Sequence, residues 1–459
     1  MRSQMFVVSD LHLGGEPGKD GRIGFQICPP STQALMARFF SRLPAPSADG
    51  DVRLVLAGDI VDFLAEREFQ AFTSGDRDAS VKLEQIMKRT AGIWDALASF
   101  VKRGGALTLL LGNHDIELSL PQPRRTLLSR LGEGRVGFIY DNEAFSIGSL
   151  IIEHGNRFDG WNAVPHGALR RARSRLSRGL DAGDFPAMPG SRLVVDVMNR
   201  IKSDYSFVDL LKPEDAGVLP ILAGLGAAGI RETWQLMKRY RQSQSVDYDE
   251  EQEPKDETYI ADIPSEEEAL YGLAQDIAAG GDATQVSGID LSGIRDQVSS
   301  AVRQLRRSGL KKAFQADIVK KLHRLAFLIA EENGVYLNPA KAFKKRGFKV
   351  VVFGHTHLVK RVPLGDGAFY LNSGTWADLI RAPKAIWDED AARAEEILNQ
   401  FVDDLEQDDV ARWRRSVPTY AKITLDGDTI KDANVYFADT GIAVTDDEFA
   451  RRLQPEEKV

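Results

Sequence analysis

Cysteine is almost missing from this 459-residue chain: Cys28 is the only one. No intramolecular disulfide can form and no cysteine-based zinc cluster can be built. Cys28 itself reads as a small core hydrophobe. Long apolar runs are also missing. The longest, Val218 to Ile230 (VLPILAGLGAAGI), has thirteen residues, short of the ~20 that a membrane-spanning helix needs. The opening MRSQMFVVSD enters a β-rich stretch with no apolar signal-peptide segment before it. The expectation is therefore a cytoplasmic protein with no transmembrane segment. Basic charge is not in excess. A net charge of −8 gives no global sign of a nucleic-acid or anionic-membrane partner, although a local basic patch can still bind phosphate. Histidine is sparse, with seven residues, and none sits in an HExxH single-metal peptidase motif.

What the chain does have is a repeated local grammar. Phe6–Val8 runs into Asp10, Leu54–Ala57 into Gly58 and Asp59, and Leu107–Leu111 into Gly112, Asn113 and His114. Short Val/Leu/Ile runs that stop abruptly at Gly or a polar residue read as buried strands with loops at their C-terminal ends. Between them, 31–42 and 79–102 carry apolar residues at helical spacing. Val136–Tyr140 and Ser149–Glu153 read as a strand pair turned around Asp141–Glu143, the second running into His154. Phe348–Phe353 repeats the grammar and stops at Gly354 and His355. Ala368–Asn372, Tyr420–Leu425 and Ala433–Phe437 add strands, the last two joined by the hairpin signal Asp426–Gly427–Asp428. Residues 443–459 are expected to be a C-terminal tail.

The span 161–344 differs: it is helix-prone, with few strand signals, and reads as an insertion between two halves of one catalytic domain (1–160 and 345–442). It holds an arginine cluster (Arg170, Arg171, Arg173, Arg175, Arg178), the apolar run, and a segment from Asp247 to Glu268 with eleven acids and one lysine. So acidic a segment buries little apolar surface and reads as a solvated linker. A basic stretch from Val302 to Ala330 follows. Its Arg303, Arg306, Lys311 and Lys320 alternate with Leu305, Leu310, Phe314 and Ile318, as in an amphipathic helix. Core packing is its default reading. A peripheral membrane or nucleic-acid contact is the alternative.

Five of the seven histidines (His12, His114, His154, His355, His357) fall just after strand-like runs, beside Asp, Asn or Gly. Open α/β sheets place ligands at strand C-terminal ends, so these stations are expected to converge. Imidazole and carboxylate without thiolate suit divalent ions such as Mn, Fe, Zn or Co. In Asp10-Leu-His12 and His355-Thr-His357 the i and i+2 side chains are expected to share one face of an extended segment. Asp59, with two carboxylate oxygens, is the natural bridge between two ions, and two ions can clamp a phosphoryl group and activate a water. His166 and His323 lie outside the stations and read as surface or helix-packing residues. Asp115 and Glu153 read as supports of the ligands. Asn156 and Arg157 are open between substrate phosphate and loop stabilisation.

SDLHLG (Ser9–Gly14), GDIVDF (Gly58–Phe63), GNHD (Gly112–Asp115), HGNRFD (His154–Asp159) and GHTH (Gly354–His357), in this order, resemble the signatures of calcineurin-like metallophosphoesterases. The resemblance covers about 1–160 and 345–440. It implies an α/β four-layer sandwich of two mixed β-sheets flanked by helices. It leaves the large helical insertion unexplained; as a lid, that insertion is expected to choose the substrate. It also implies two divalent metal ions, Mn2+ foremost. Asp10, His12 and His357 would hold the first, Asn113, His154 and His355 the second, with Asp59 bridging. His114 would act at the scissile bond, oriented by Asp62, and a metal-held hydroxide would attack a phosphate ester or anhydride. Phe63 and Leu64 stand where protein Ser/Thr phosphatases carry Arg-Gly, so the resemblance is to a bacterial branch of the family and not to a protein Ser/Thr phosphatase. SDLHL and GHTH are similar to lipid-A pathway enzymes that hydrolyse UDP-diacylglucosamine, which carry Arg where this chain has His114. Tyr370–Trp376 (YLNSGTW) resembles a segment after the last motif in several bacterial branches.

Three other functions stay open at this point. A lipid-linked or nucleotide-sugar pyrophosphatase at the membrane surface needs the apolar run and the basic helices on one side. A nuclease or nucleotide phosphodiesterase needs a basic groove leading to the metals. A non-catalytic binding scaffold would be expected to have lost ligands, yet every station is intact.

Overall fold

The computed structural model describes residues 2–18, 24–48, 50–202, 206–212, 334–387 and 390–454, with scattered positions between 311 and 332. The apolar run at 218–230, the acidic segment at 247–268, His323 and most of the basic stretch at 302–330 lie outside the described residues.

The protein is mixed α/β. Its first sheet has six strands in the order β14-β13-β1-β2-β3-β4: β1 (Arg2–Val8), β2 (Gly50–Ala57), β3 (Ala106–Leu110), β4 (Val136–Ile139), β13 (Thr419–Asp426) and β14 (Thr429–Phe437). β1 to β4 run parallel, and β13 and β14 join antiparallel. The second sheet, β5-β6-β8-β10-β9, contains β5 (Phe145–Ile147), β6 (Leu150–Ile152), β8 (Val350–Phe353), β9 (Lys360–Gly365) and β10 (Ala368–Asn372). Here β6, β8 and β10 are parallel. A small third sheet links β7 (Leu211–Lys212), β11 (Leu379–Arg381) and β12 (Arg414–Arg415).

Two-residue alternation divides each strand between two cores. Phe6, Val8, Leu54 and Leu56 pack with Met36 and Phe40 of α1 (Pro30–Arg42), Ile86 of α2 (Asp76–Arg89) and Trp94 and Leu97 of α3 (Ala91–Lys102). Met5, Val7, Val55 and Ala57 point the other way and share a core with Leu150, Ile152, Val350, Val352 and Leu371 of the second sheet. Ile151, Val351 and Tyr370, on the far face of that sheet, meet Tyr336 and Ala340 of the helix Gly334–Lys345. Each fully buried side chain of this kind contributes ~1.5–3 kcal/mol.

Several expectations need correction. Val136–Tyr140 and Ser149–Glu153 are not a strand pair. β4 is the edge of the first sheet, whereas β6 pairs antiparallel with β5 and parallel with β8; the short Phe145–Ile147 strand between them was not legible in so few residues. The helical pattern over 79–102 is two helices. Thr90 ends the first by donating its hydroxyl to Ile86 O (2.8 Å) and accepting from Trp94 Nε1 (2.9 Å). The expected tail carries the helix Asp446–Arg452, capped by Thr445. Its Phe449 and Leu453 are buried in the core shared by the two sheets. From the segment expected as an insertion, Val164, Leu169 and Met188 join the first core. Cys28 is buried among hydrophobic residues. No helix among the described residues is long and apolar enough to cross a membrane.

Candidate metal centre

The stations follow the C-terminal ends of parallel strands: Asp10 and His12 after β1, Asp59 after β2, Asn113 and His114 after β3, His154 after β6, and His355 and His357 after β8. Three come from one sheet and two from the other, so the site lies where both sheets end. Three groups of side chains converge there: Asp10, His12 and His357; His12, Asp62 and His114; Asp59, His154 and His355.

The backbone is bent to achieve this. Asp10 (φ 54°), His12 (φ 44°), Asp59 (φ 49°), His355 (φ 70°) and His357 (φ 61°) all lie in the left-handed region, which costs on the order of 1–3 kcal/mol per non-glycine residue. The i and i+2 pairs therefore meet through left-handed turns. The extended segment expected from sequence is absent, because the strands have already ended. The neighbouring glycines make room. A Cβ at Gly112 would come within 2.0 Å of Asp59 Oδ1, and one at Gly354 within 2.6 Å of Asp10 Oδ2.

Hydrogen bonds decide which atoms face inward. Asp62 accepts from Leu64 and Ala65 N–H through Oδ1 (3.1 and 3.2 Å). It also lies 3.3 Å from His12 Nδ1 and 3.2 Å from His114 Nδ1. Burial works against its charge, but His114 and His12 outweigh it and hold the carboxyl well below its usual range. An ionised carboxylate can only accept, so both Nδ1 atoms donate, and His12 keeps its Nε2 lone pair for the site. His154 Nδ1 donates to Ala57 O (2.8 Å), which leaves Nε2 as the ring atom that faces Asp59. Asp59 Oδ1 accepts the His114 N–H (2.8 Å). Its Oδ2 lies 3.2 Å from His154 Nε2 and 3.8 Å from His12 Nε2, between the two halves of the site.

The donor set fits divalent cations. His12 Nε2 and His357 Nε2 are 3.0 Å apart, and His357 Nε2 is 3.4 Å from Asp10 Oδ1. Ligand atoms ~2.0–2.1 Å from one ion, at tetrahedral or right angles to each other, have such separations. His154 Nε2 and Asn113 Oδ1 are buried with no hydrogen-bond partner. Buried donors of this kind call for an ion. The charges agree. Burial raises the Asp10 pKa, and Asp59 adds to the rise against the pull of His154 and His12. Burial opposes ionisation of Asp59 as well, but the surrounding histidines hold its pKa well below the usual range. Burial would lower the His154 pKa, but Asp59 and Asp10 outweigh it and raise it to about 9. A cation in place of that proton would satisfy the same carboxylates. Burial and Lys212 keep His357 neutral, as a ligand must be.

A second layer holds the first. Asp115, buried, accepts Gly112 N–H and Ile60 N–H (both 2.7 Å), tying the loops after β2 and β3 together. Burial and Asp59 raise its pKa to about 7. The YLNSGTW segment supports Asp10: Ser9 donates to the Asp10 carboxylate and meets Ser373 Oγ (2.7 Å), while Thr375 Oγ1 donates to Asp10 O (2.9 Å). Glu153 pairs with Arg157 (3.3 Å), which also binds Asn142, and Asn156 donates to Asn162 O (2.8 Å), a loop-stabilising arrangement. In the arginine cluster, Arg170 and Arg173 both bind Asp141 and Arg175 binds Asp181. These three arginines are committed to carboxylates, as on a helix face. His166 is half-buried, and its pKa falls to about 4 through desolvation and nearby arginines.

Sequence reasoning missed two residues at this site. Asp159 Oδ2 lies 3.0 Å from His355 Nε2, and Asn162 Oδ1 accepts from Asn113 Nδ2 (3.3 Å). Asp159 ends the HGNRFD motif, so its place near the ligands was the available signal. Asn162 had none. No family model matches the chain, and no curated protein matches it either.

Proposed function

We propose that this protein is a metallophosphoesterase of the calcineurin-like type, a hydrolase that cleaves a phosphate ester or anhydride with two divalent ions. The observation that carries the reading is Asp59 Oδ2, the one oxygen that faces both His154 and His12 while its partner oxygen is held by a backbone N–H. In this reading Asp10, His12 and His357 hold one ion, Asn113, His154 and His355 the other, and Asp59 joins them. Mn2+ is the first candidate, with Fe, Zn or Co as alternatives. The fold we propose for it is a four-layer sandwich, helices outside two sheets that share a core.

Bound there, the ions would clamp a phosphoryl group, lower the pKa of a water and stabilise the leaving oxygen. The chain supplies the rest. His114 is the most open of the group, with 20% of its side chain exposed. Its Nδ1 faces Asp62 (3.2 Å), so in this reading its Nε2 is the atom that would bind phosphate or give a proton to the leaving oxygen. Asp62 fixes that ring and the ring of His12 with opposite oxygens. The intact donor set favours an enzyme over a binding scaffold.

The test is a screen of aryl phosphomonoesters, diesters and pyrophosphates with Mn2+ restored to metal-stripped protein, beside Asp59→Asn. Metal-dependent hydrolysis that the variant lacks is the expected result. Equal turnover in both proteins, or no metal binding by either, would defeat the reading.

A further inference from the structure

Resting on the two-ion reading above, we infer that Asn372 is the positioning residue that sets the spacing of His355 and His357, and so of one ligand of each ion. It acts through the loop that carries both histidines and touches neither ion itself.

The argument starts from backbone strain. His355 (φ 70°) and His357 (φ 61°) are both left-handed, a conformation that a residue with a Cβ keeps only where its surroundings fix it. One side chain does much of the fixing. Asn372, fully buried at the end of β10, donates Nδ2 to Gly354 O (2.7 Å) and to Thr356 Oγ1 (3.0 Å). The two bonds bracket His355 and end one residue before His357. Gly354 O also accepts the Thr356 N–H (2.9 Å), so the turn closes on the carbonyl that Asn372 holds. The orientation of the amide is decided by its neighbours. The Gly374 N–H, which can only donate, meets Oδ1 (2.9 Å), and the Gly354 carbonyl, which can only accept, meets Nδ2.

The next residue carries the arrangement on to Asp10. Ser373 donates its N–H to Phe353 O (3.1 Å), its Oγ meets Ser9 Oγ (2.7 Å), and Ser9 donates to the Asp10 carboxylate. Asp10 Oδ2 accepts the His355 N–H (2.9 Å) in turn. The bonds close a ring that runs from Asn372 through the histidine loop to Asp10, then back through Ser9 and Ser373. It uses no imidazole nitrogen, so it fixes where the two imidazoles stand without taking their lone pairs. The ring is also tied to the first sheet, because Thr419 Oγ1 of β13 donates to Ser373 O (2.7 Å). Gly374 (φ 74°) allows that approach, since a Cβ there would come within 2.2 Å of Thr419 Oγ1. Asn372 thus holds ligands on the second sheet in step with Asp10 on the first.

The full chain, stripped of metal and titrated with Mn2+ or Co2+, is compared with Asn372→Leu and Thr356→Val. The first variant removes every bond of the amide at similar volume, and the second removes one of them. The readouts are metal per chain, the visible absorption of bound Co2+, which follows ligand geometry, and the rise in melting temperature on adding Mn2+. The wild type should hold two ions. Asn372→Leu should bind both ~10–100-fold more weakly, with an altered Co2+ spectrum and a smaller rise in melting temperature. Thr356→Val should change each readout in the same direction by less. Wild-type affinity and an unaltered Co2+ spectrum in both variants would overturn the inference and leave the two-ion reading standing. A lower melting temperature without metal, with an undiminished rise on adding Mn2+, would also overturn it, by making Asn372 a residue of the fold alone. Should Asn372→Leu fail to fold, Thr356→Val decides by the same measures. A wild type that binds no ion overturns both.

Discussion

His12 Nε2 and His357 Nε2 lie 3.0 Å apart although 345 positions separate them in the chain. His12 gives its Nδ1 proton to Asp62, so its Nε2 meets the other ring as a lone pair. Two such nitrogens facing each other are best reconciled by a cation. Replacing either His12 or His357 with Ala should remove one ion of the pair. Wild-type protein should gain ~2.7 kcal/mol of stability at 100 times the dissociation constant, and each variant clearly less. Thermal melting with and without Mn2+ measures the difference, and identical shifts in all three proteins would contradict the assignment.

His114 stands apart because it reaches the open edge without belonging to either trio proposed for the ions. His114→Ala should leave two ions per chain while lowering the turnover of an aryl phosphodiester by ~10²–10⁴-fold. A variant that loses metal in proportion to activity would move His114 into the ligand set.

Asp62 grips His12 and His114 with separate oxygens. Asp62→Asn offers an amide nitrogen to one of those rings, which has no acceptor for it while its Nδ1 is protonated. Metal affinity or activity should fall ~10–100-fold, as for other partners of ligand histidines. Isothermal titration with Mn2+ and steady-state rates would show whether both rings depend on this carboxylate.

Gly112 has Asp59 Oδ1 where a side chain would go, 2.0 Å from an added Cβ. Gly112→Ala must displace the carboxylate or the loop, costing ~1–3 kcal/mol as an overpacked core does. Loss of Mn2+ binding with secondary structure retained in circular dichroism is the expected outcome.

Glu117 is buried and accepts the Thr73 N–H (2.7 Å). Burial, above all, raises its pKa from 4.5 to about 7. The folded protein therefore binds this proton more tightly than the unfolded chain. The stability from this group is complete below about pH 4.5 and is lost as pH rises through about 7. Glu117→Gln keeps an oxygen for Thr73 and cannot ionise. In chelator, it should exceed the wild type by ~1–3 kcal/mol at pH 8 and match it near pH 4. Urea unfolding at both pH values checks the sign; a gap that does not widen with pH would refute it.

What was legible in the chain was the linear part of the problem. A buried strand needs a short run of Val, Leu or Ile, and its end needs Gly or a polar residue. Both are local demands, so the stations at Asp10, Asp59, Asn113, His154 and His355 could be read before their strands were seen, and their side chains named the class of ion they suit. Where local demand is weak, the reading failed. Three residues, Phe145–Ile147, are too few to announce a strand, and the Asp10 and His12 backbones take left-handed turns that only the crowding around the site requires.

Tertiary structure alone decided which sheet each strand joined, which ring nitrogen keeps its proton, and which oxygen of Asp59 faces both halves. It also brought Asp159 and Asn162 to the ligands. The physical reason is that residue type fixes what a group can donate or accept, whereas a lone pair is assigned by the neighbour 3 Å away, and that neighbour sits on another strand.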